Sequence, residues 1–101
     1  MTAEDYMSST DREILRSLGD RMRALRKARG LSQQEAADRA DLARSTVSEV
    51  ERGENPTLHT VVRLLRVYGR LSALESFIPE PELSPMARPR EKKGKRGTGG
   101  G

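Results

Sequence analysis

Residues 31–53, LSQQEAADRADLARSTVSEVERG, leave a chain little choice of local structure. Ser32 and Glu35 have the spacing of a capping box, in which each side chain takes the other residue's backbone amide, so a helix is predicted from Gln33. Ala36, Ala37 and Ala40 recur at helical spacing and are small enough to let a second helix approach closely. Asp41 stands where the chain must turn, and Asp tolerates the left-handed backbone region better than most residues. Leu42 follows as an apolar plug, and a second helix is predicted from about Arg44 to Arg52 with Val47 and Val50 inward. Gly53 ends it, because the residue beyond a helix C-cap usually needs positive φ.

With the two valines inward, Arg44, Ser45, Ser48 and Glu49 point outward, and Thr46 lies at the margin. Such side chains hydrogen-bond to base edges and phosphates in a major groove. A helix of this size is about 13–14 Å long at 1.5 Å per residue, enough to reach several base pairs. The same residues also suit a plain solvated surface, which for an isolated helix is the commoner outcome. The combination of capped helix, turn, plug and polar second helix shifts the balance towards the groove.

The run LGDRMRALRKARGLSQQEAADRADLARSTVSEVERGENPTLHTVVRLLRVYG resembles the Xre/Cro-type helix-turn-helix domain of phage repressors and many small bacterial regulators. The matching pieces are the GLSQQE entry, the RSTVSEVERG recognition segment and the NPTLHTVVRLL helix, about half the chain together. Two positions depart from the pattern. Asp41 replaces a usual Gly, which an αL position tolerates, and Ala43 replaces a Ser or Thr, weakening the recognition helix's N-cap by ~1 kcal/mol. The resemblance implies an all-α, five-helix, lambda-repressor-like bundle. It further implies that Arg26 pairs with Glu51, tying the first long helix to the end of the recognition helix; two unrelated exposed charges are the alternative.

The rest of the chain fits such a bundle. Residues 1–9 are polar and expected to fray. Thr10 and Glu13 form a second capping box, and Ile14, Leu15, Leu18, Met22 and Leu25 make one apolar stripe. Gly19 interrupts that helix at a cost of ~1 kcal/mol relative to Ala and is a candidate bend. Thr57 is a good N-cap for a further helix with Leu58, Val61, Val62, Leu64, Leu65 and Tyr68 as its wide apolar face. Ser72 and Glu75 make another capping-box spacing, introducing a short fifth helix with Leu74, Phe77 and Ile78. The lone His59 is expected at the surface near a nucleic-acid backbone, neither a ligand nor a base. The folded domain is placed at residues 10–78. Residues 79–101 are a proline-rich and then basic, glycine-rich tail, expected to be disordered.

Charge bears on the partner only after it is divided. Residues 1–86 carry 13 Lys/Arg against 14 Asp/Glu, and residues 87–101 carry six against one. The net charge of +4 therefore belongs to the tail, so overall charge is no evidence for a DNA-binding core. Only 3% of residues are aromatic, which leaves little for stacking single-stranded bases. Without cysteine the chain has neither disulfides nor thiolate metal sites, and no apolar run approaches a membrane span, so a soluble cytoplasmic protein is expected. No paired carboxylates, nucleophile system, phosphate-cradling loop or metal-ligand cluster is legible, so neither an enzyme nor a cofactor is expected.

The leading expectation is a sequence-specific regulator of double-stranded operator DNA, a repressor acting as a dimer on a near-palindromic site. Arg44, Ser45, Ser48 and Glu49 are the candidates for base readout, with Arg44 suited to guanine and Glu49 to cytosine N4. Gln33, Thr46, Asn55, Thr57 and Thr60 are candidates for phosphate. Leu71, Leu74, Phe77 and Ile78 exceed what a small bundle needs and are candidates for the dimer contact, or else cap the core. The segment LSALESFIPEPELSPMA with its basic tail is similar to regulators encoded beside HipA-type kinase toxins, which implies an antitoxin role and such a toxin as partner. The alternative class is a protein-interaction module that keeps the helix-turn-helix fold without binding DNA, which the near-neutral core favours somewhat.

Overall fold

The computed structural model describes residues 2–54 and 56–82. Among them every regular element is helical: α1 (Ala3–Ser8), α2 (Asp11–Ala28), α3 (Gln33–Ala40), α4 (Arg44–Glu51), α5 (Leu58–Val67), a 3₁₀ turn (Leu71–Ala73) and α6 (Leu74–Phe77). The protein is an all-α bundle. Asn55 and residues 83–101 lie outside the described residues, and with them the Asn55 phosphate assignment and the expected disorder of most of the tail.

Three helices start at complete capping boxes. Thr2 with Asp5, Thr10 with Glu13 and Ser32 with Glu35 each exchange both side-chain to backbone hydrogen bonds. The first corrects the expectation of a frayed N-terminus. Thr2 and Asp5 satisfy orphan amides of α1, and Tyr6 lies under the Arg21 guanidinium, 5.9 Å from its ring centre. The Ser72–Glu75 spacing, by contrast, makes no capping box. The chain enters a 3₁₀ turn at Leu71 and passes directly into the four residues of α6, so no free N-terminus is left there to cap.

The core is small and central. Met22 from α2, Leu31, the three α3 alanines, Val47 and Val50 from α4, and Leu64, Leu65 and Tyr68 around α5 are all buried. Leu42 packs against this cluster from the turn, as do Leu25, Val61, Val67, Leu71 and Leu74. Leu58, the first residue of α5, departs from the expected inward face: it is 59% exposed.

Close helix contact depends on one residue without a side chain. Gly19 does not bend α2, which runs unbroken from Asp11 to Ala28. It is buried against the last turn of α4, where a Cβ would sit 2.6 Å from the Glu51 carbonyl oxygen and 2.7 Å from that of Val50. At the turn between α3 and α4, Asp41 adopts φ 57°, ψ 49°, the left-handed conformation that its place between the helices requires. Gly53, at φ 72°, ends α4 with its backbone pressed against Leu15 and Arg16 of α2. The recognition segment is thus gripped at its end by α2 and lies across α3.

Candidate nucleic-acid interface

The position of α4 follows from its apolar face. Val47 is fully buried and Val50 nearly so, which fixes the rotation of the helix and turns Arg44, Ser45 and Glu49 to the exterior. Thr46 and Ser48 are half-buried at the edges of that face. Ala43 supplies no side-chain cap, so the first amides of α4 lack a side-chain acceptor from the N-cap residue.

Behind the exposed face runs a continuous chain of hydrogen bonds. Arg26 donates from Nε to Glu51 Oε2 at 2.6 Å, from Nη2 to Glu51 Oε1 at 3.0 Å, and from Nη1 to the Leu31 carbonyl at 2.7 Å. Their side chains are only 9% and 4% exposed. The hydrogen bond to Glu51 holds the Arg26 guanidinium above its ordinary pKa, against the opposing effect of burial. Glu51 Oε1 also accepts from Gln33 Nε2 at 3.1 Å, and Gln33 Oε1 accepts from Arg44 Nη1 at 3.1 Å. Gln33 therefore joins the buried ion pair to the exposed arginine at the start of α4. Since glutamine has one carbonyl and one amino group, donating to Glu51 orients its oxygen towards Arg44.

The remaining described phosphate candidates, Thr46, Thr57 and Thr60, line one small cleft together with Glu49 and Glu54. Thr60 is buried, and its hydroxyl accepts from Thr57 Oγ1 at 2.9 Å. It is only 7% exposed, which leaves little of it for a phosphate to touch. Thr57 is exposed, but its Oγ1 caps α5 by accepting from the Thr60 amide at 3.1 Å. The reason is local: the first-turn residue that an N-cap serves often turns inward as the helix docks, as Thr60 does here.

Arg52 belongs to this surface and was missed in the sequence. One turn after Ser48, it donates from Nη1 to Ser48 Oγ and forms a two-pronged pair with Glu54, Nε to Oε2 at 3.0 Å and Nη2 to Oε1 at 3.1 Å. That pair lowers the Glu54 carboxyl below its ordinary range. The i, i+4 spacing from Ser48 was the available signal. Arg52 also opens onto a cleft of about 390 Å³ lined by Arg12, Arg16 and Arg23 of α2, with Asp20, Glu51 and Glu54 among them. Four arginines and three acids thus stand together beside the C-terminal end of α4, nearly balanced in charge like the chain to residue 86.

Two short helices meeting through a left-handed turn, with the second presenting a polar face, define a helix-turn-helix protein. The helix-turn-helix family profile matches residues 22–75, more than half of the chain, and the chain belongs to that family. Among curated proteins, the HTH-type transcriptional regulators PuuR of Escherichia coli (strain K12) and of Shigella flexneri are each 38% identical over 65 residues, covering 63% of this chain. The match spans about a third (34%) of the length of each of those relatives. Among the described residues no helix is long and apolar enough to cross a membrane, and no group of acidic or histidine side chains is placed to hold a metal ion.

Proposed function

We propose that this protein is a transcriptional regulator that reads double-stranded DNA through the exposed face of α4. The observation that carries the reading is the link from the buried Arg26–Glu51 pair through Gln33 to Arg44. It holds a guanidinium at the start of a solvent-facing helix, and a held fork loses less entropy on binding a guanine edge than a free one. Ser45, Ser48 and Glu49 share the face and are the further candidates for base contact. Thr46, Gln33 and Arg52 flank it as candidates for phosphate. The similarity to the PuuR regulators supports the same reading.

The finer proposal is a repressor acting as a dimer on a near-palindromic operator, with half-sites about 34–36 Å apart. Phe77 and Ile78, 49% and 66% exposed, support a contact through the α6 end, with Leu71 and Leu74 half-buried beneath them. An apolar cavity of about 310 Å³, with Leu58, Leu74 and Phe77 in its wall, continues that surface. The narrower role of antitoxin to a HipA-type kinase toxin rests on the resemblance of the segment from Leu71 onward, and co-purification with the product of a neighbouring kinase gene tests it.

Selection of bound duplexes from a random pool, followed by titration in rising salt, tests the main reading. Recovery of one near-palindromic sequence, with affinity falling steeply between about 50 and 200 mM salt, is expected. Sequence-independent retention contradicts it, and failure to retain any duplex at low salt favours the protein-interaction module, for which the near-neutral core is the supporting observation.

A further inference from the structure

A concentration of positive charge lies away from α4, in a recess of about 270 Å³ between the C-terminal end of α3 and the outer side of α5. Arg39 comes from α3, and His59, Arg63 and Arg66 from α5 at i, i+4 and i+7, so all three project along one side of that helix. Ala40, Val62 and Val67 complete the wall, and no carboxylate is among the lining residues. This distinguishes the recess from the α2–α4 cleft, where three acids stand among the arginines.

Arg63 is fixed in place. Its Nη1 donates to the Ala40 carbonyl at 3.0 Å, satisfying the last residue of α3, and its Nε donates to His59 Nε2 at 3.1 Å. A guanidinium has five N–H groups, so three remain, including both on Nη2. Among the described residues neither Arg39 nor Arg66 has a carboxylate within salt-bridge distance. Glu35, one turn before Arg39, is committed to the α3 capping box with Ser32. Glu35 still attracts Arg39 from one turn away, but no carboxylate stands in the recess itself, where three guanidinium groups repel one another and an anion relieves that repulsion while using their free donors.

We propose that the α3–α5 recess is a binding site for a phosphate group. The planar forks of Arg39, Arg63 and Arg66 match the oxygens of a tetrahedral phosphate, and apolar Val62 and Val67 limit hydration from the floor. The volume takes a diphosphate as well as a single phosphate. Two sources share this chemistry: a free phosphorylated small molecule and a phosphate of a nucleic-acid backbone. Only the second rests on the DNA-binding reading.

The test uses the full chain and inorganic pyrophosphate, added against sodium chloride of matched ionic strength and followed by NMR of the Arg63 Nε–H and the His59 ring. Saturable shifts that chloride does not reproduce, abolished in the double variant Arg39→Gln, Arg66→Gln, are expected. Both side chains are exposed and make no hydrogen bond among the described residues, so the variant's unchanged circular dichroism serves as the control for folding. In the second arm, the same variant is titrated with the selected duplex in rising salt. If pyrophosphate gives no saturable shift but the slope of log K against log salt falls by about 0.9 for each lost contact, the site takes backbone phosphate. Shifts equalled by chloride, together with an unchanged salt slope, overturn the proposal. Because the pyrophosphate arm needs no DNA, failure of the operator reading leaves a separate result for the recess.

Discussion

Replacing Glu51 by Ala strikes the joint between the core and the recognition surface. It leaves the Arg26 side chain, 9% exposed, with only the Leu31 carbonyl as partner, since two of its three hydrogen bonds go to Glu51. An uncompensated buried charge of this kind costs about 3–5 kcal/mol. A domain of this size has a total stability of only about 4–12 kcal/mol, from roughly 0.05–0.15 kcal/mol per residue, so the variant should be close to unfolding at moderate temperature. Glu51→Gln keeps the shape and one acceptor but loses the charge, and should cost about 1.5–3 kcal/mol. The double variant Arg26→Met, Glu51→Leu removes both charges together and should regain most of the loss, because the desolvation of each ion disappears with it. Urea unfolding followed by far-ultraviolet circular dichroism measures all three. A cost below about 1 kcal/mol for Glu51→Ala, or a double variant no more stable than the single one, refutes the argument that the buried pair is held by mutual compensation.

Gly19→Ala should destabilise the fold by about 1–3 kcal/mol in the same assay, despite a gain of up to ~1 kcal/mol in helix propensity, because the new methyl meets α4 carbonyls; a stabilised variant would show that α2 and α4 can separate cheaply. Tyr68 is buried with no hydrogen-bond partner for its hydroxyl among the described residues, and burial pushes its pKa up to about 12. A raised folded-state value means that stability is intact below the unfolded tyrosine pKa of about 10 and is lost as pH rises towards 12, by roughly 1–3 kcal/mol. Tyr68→Phe should remove that alkaline loss while costing little at neutral pH, as thermal melts across the range would reveal. If the proposed dimer forms through the α6 end, Phe77→Asp with Ile78→Asp should lower the mass in sedimentation from dimer to monomer and weaken operator binding without shifting the melting temperature of the monomer; a dimer of unchanged mass, or an unaltered chain that is already monomeric, would refute that contact.

The helix-turn-helix unit was legible because its signals are local. Ser32 with Glu35, Asp41 at the turn, the paired valines and Gly53 each act within one or two helical turns, and each stands in the structure where its chemistry puts it. Less legible were features set by packing. Gly19 reads as a flaw in α2 until α4 is seen lying across it. Ser72 and Glu75 have correct spacing, yet the preceding residues are drawn into a 3₁₀ turn, and no free helix start remains. The side chains of Gln33 and Thr60 show the same limit at the candidate site. Both look like surface polar residues at helix starts, but Gln33 is engaged by Glu51 and Arg44, and Thr60 points inward at Thr57. Polarity identifies what a side chain can bond to; tertiary contacts decide which partner it takes.

The most direct examination of the α4 surface is the base preference of Arg44→Ala compared with that of the unaltered chain, both measured on duplexes varied one base pair at a time. Loss of discrimination worth about 1–3 kcal/mol at one base pair of each half-site, with other positions unaffected, is the expected result. An equal loss on every sequence, or none at all, would mean that Arg44 does not read a base and that α4 is not the element that selects the site.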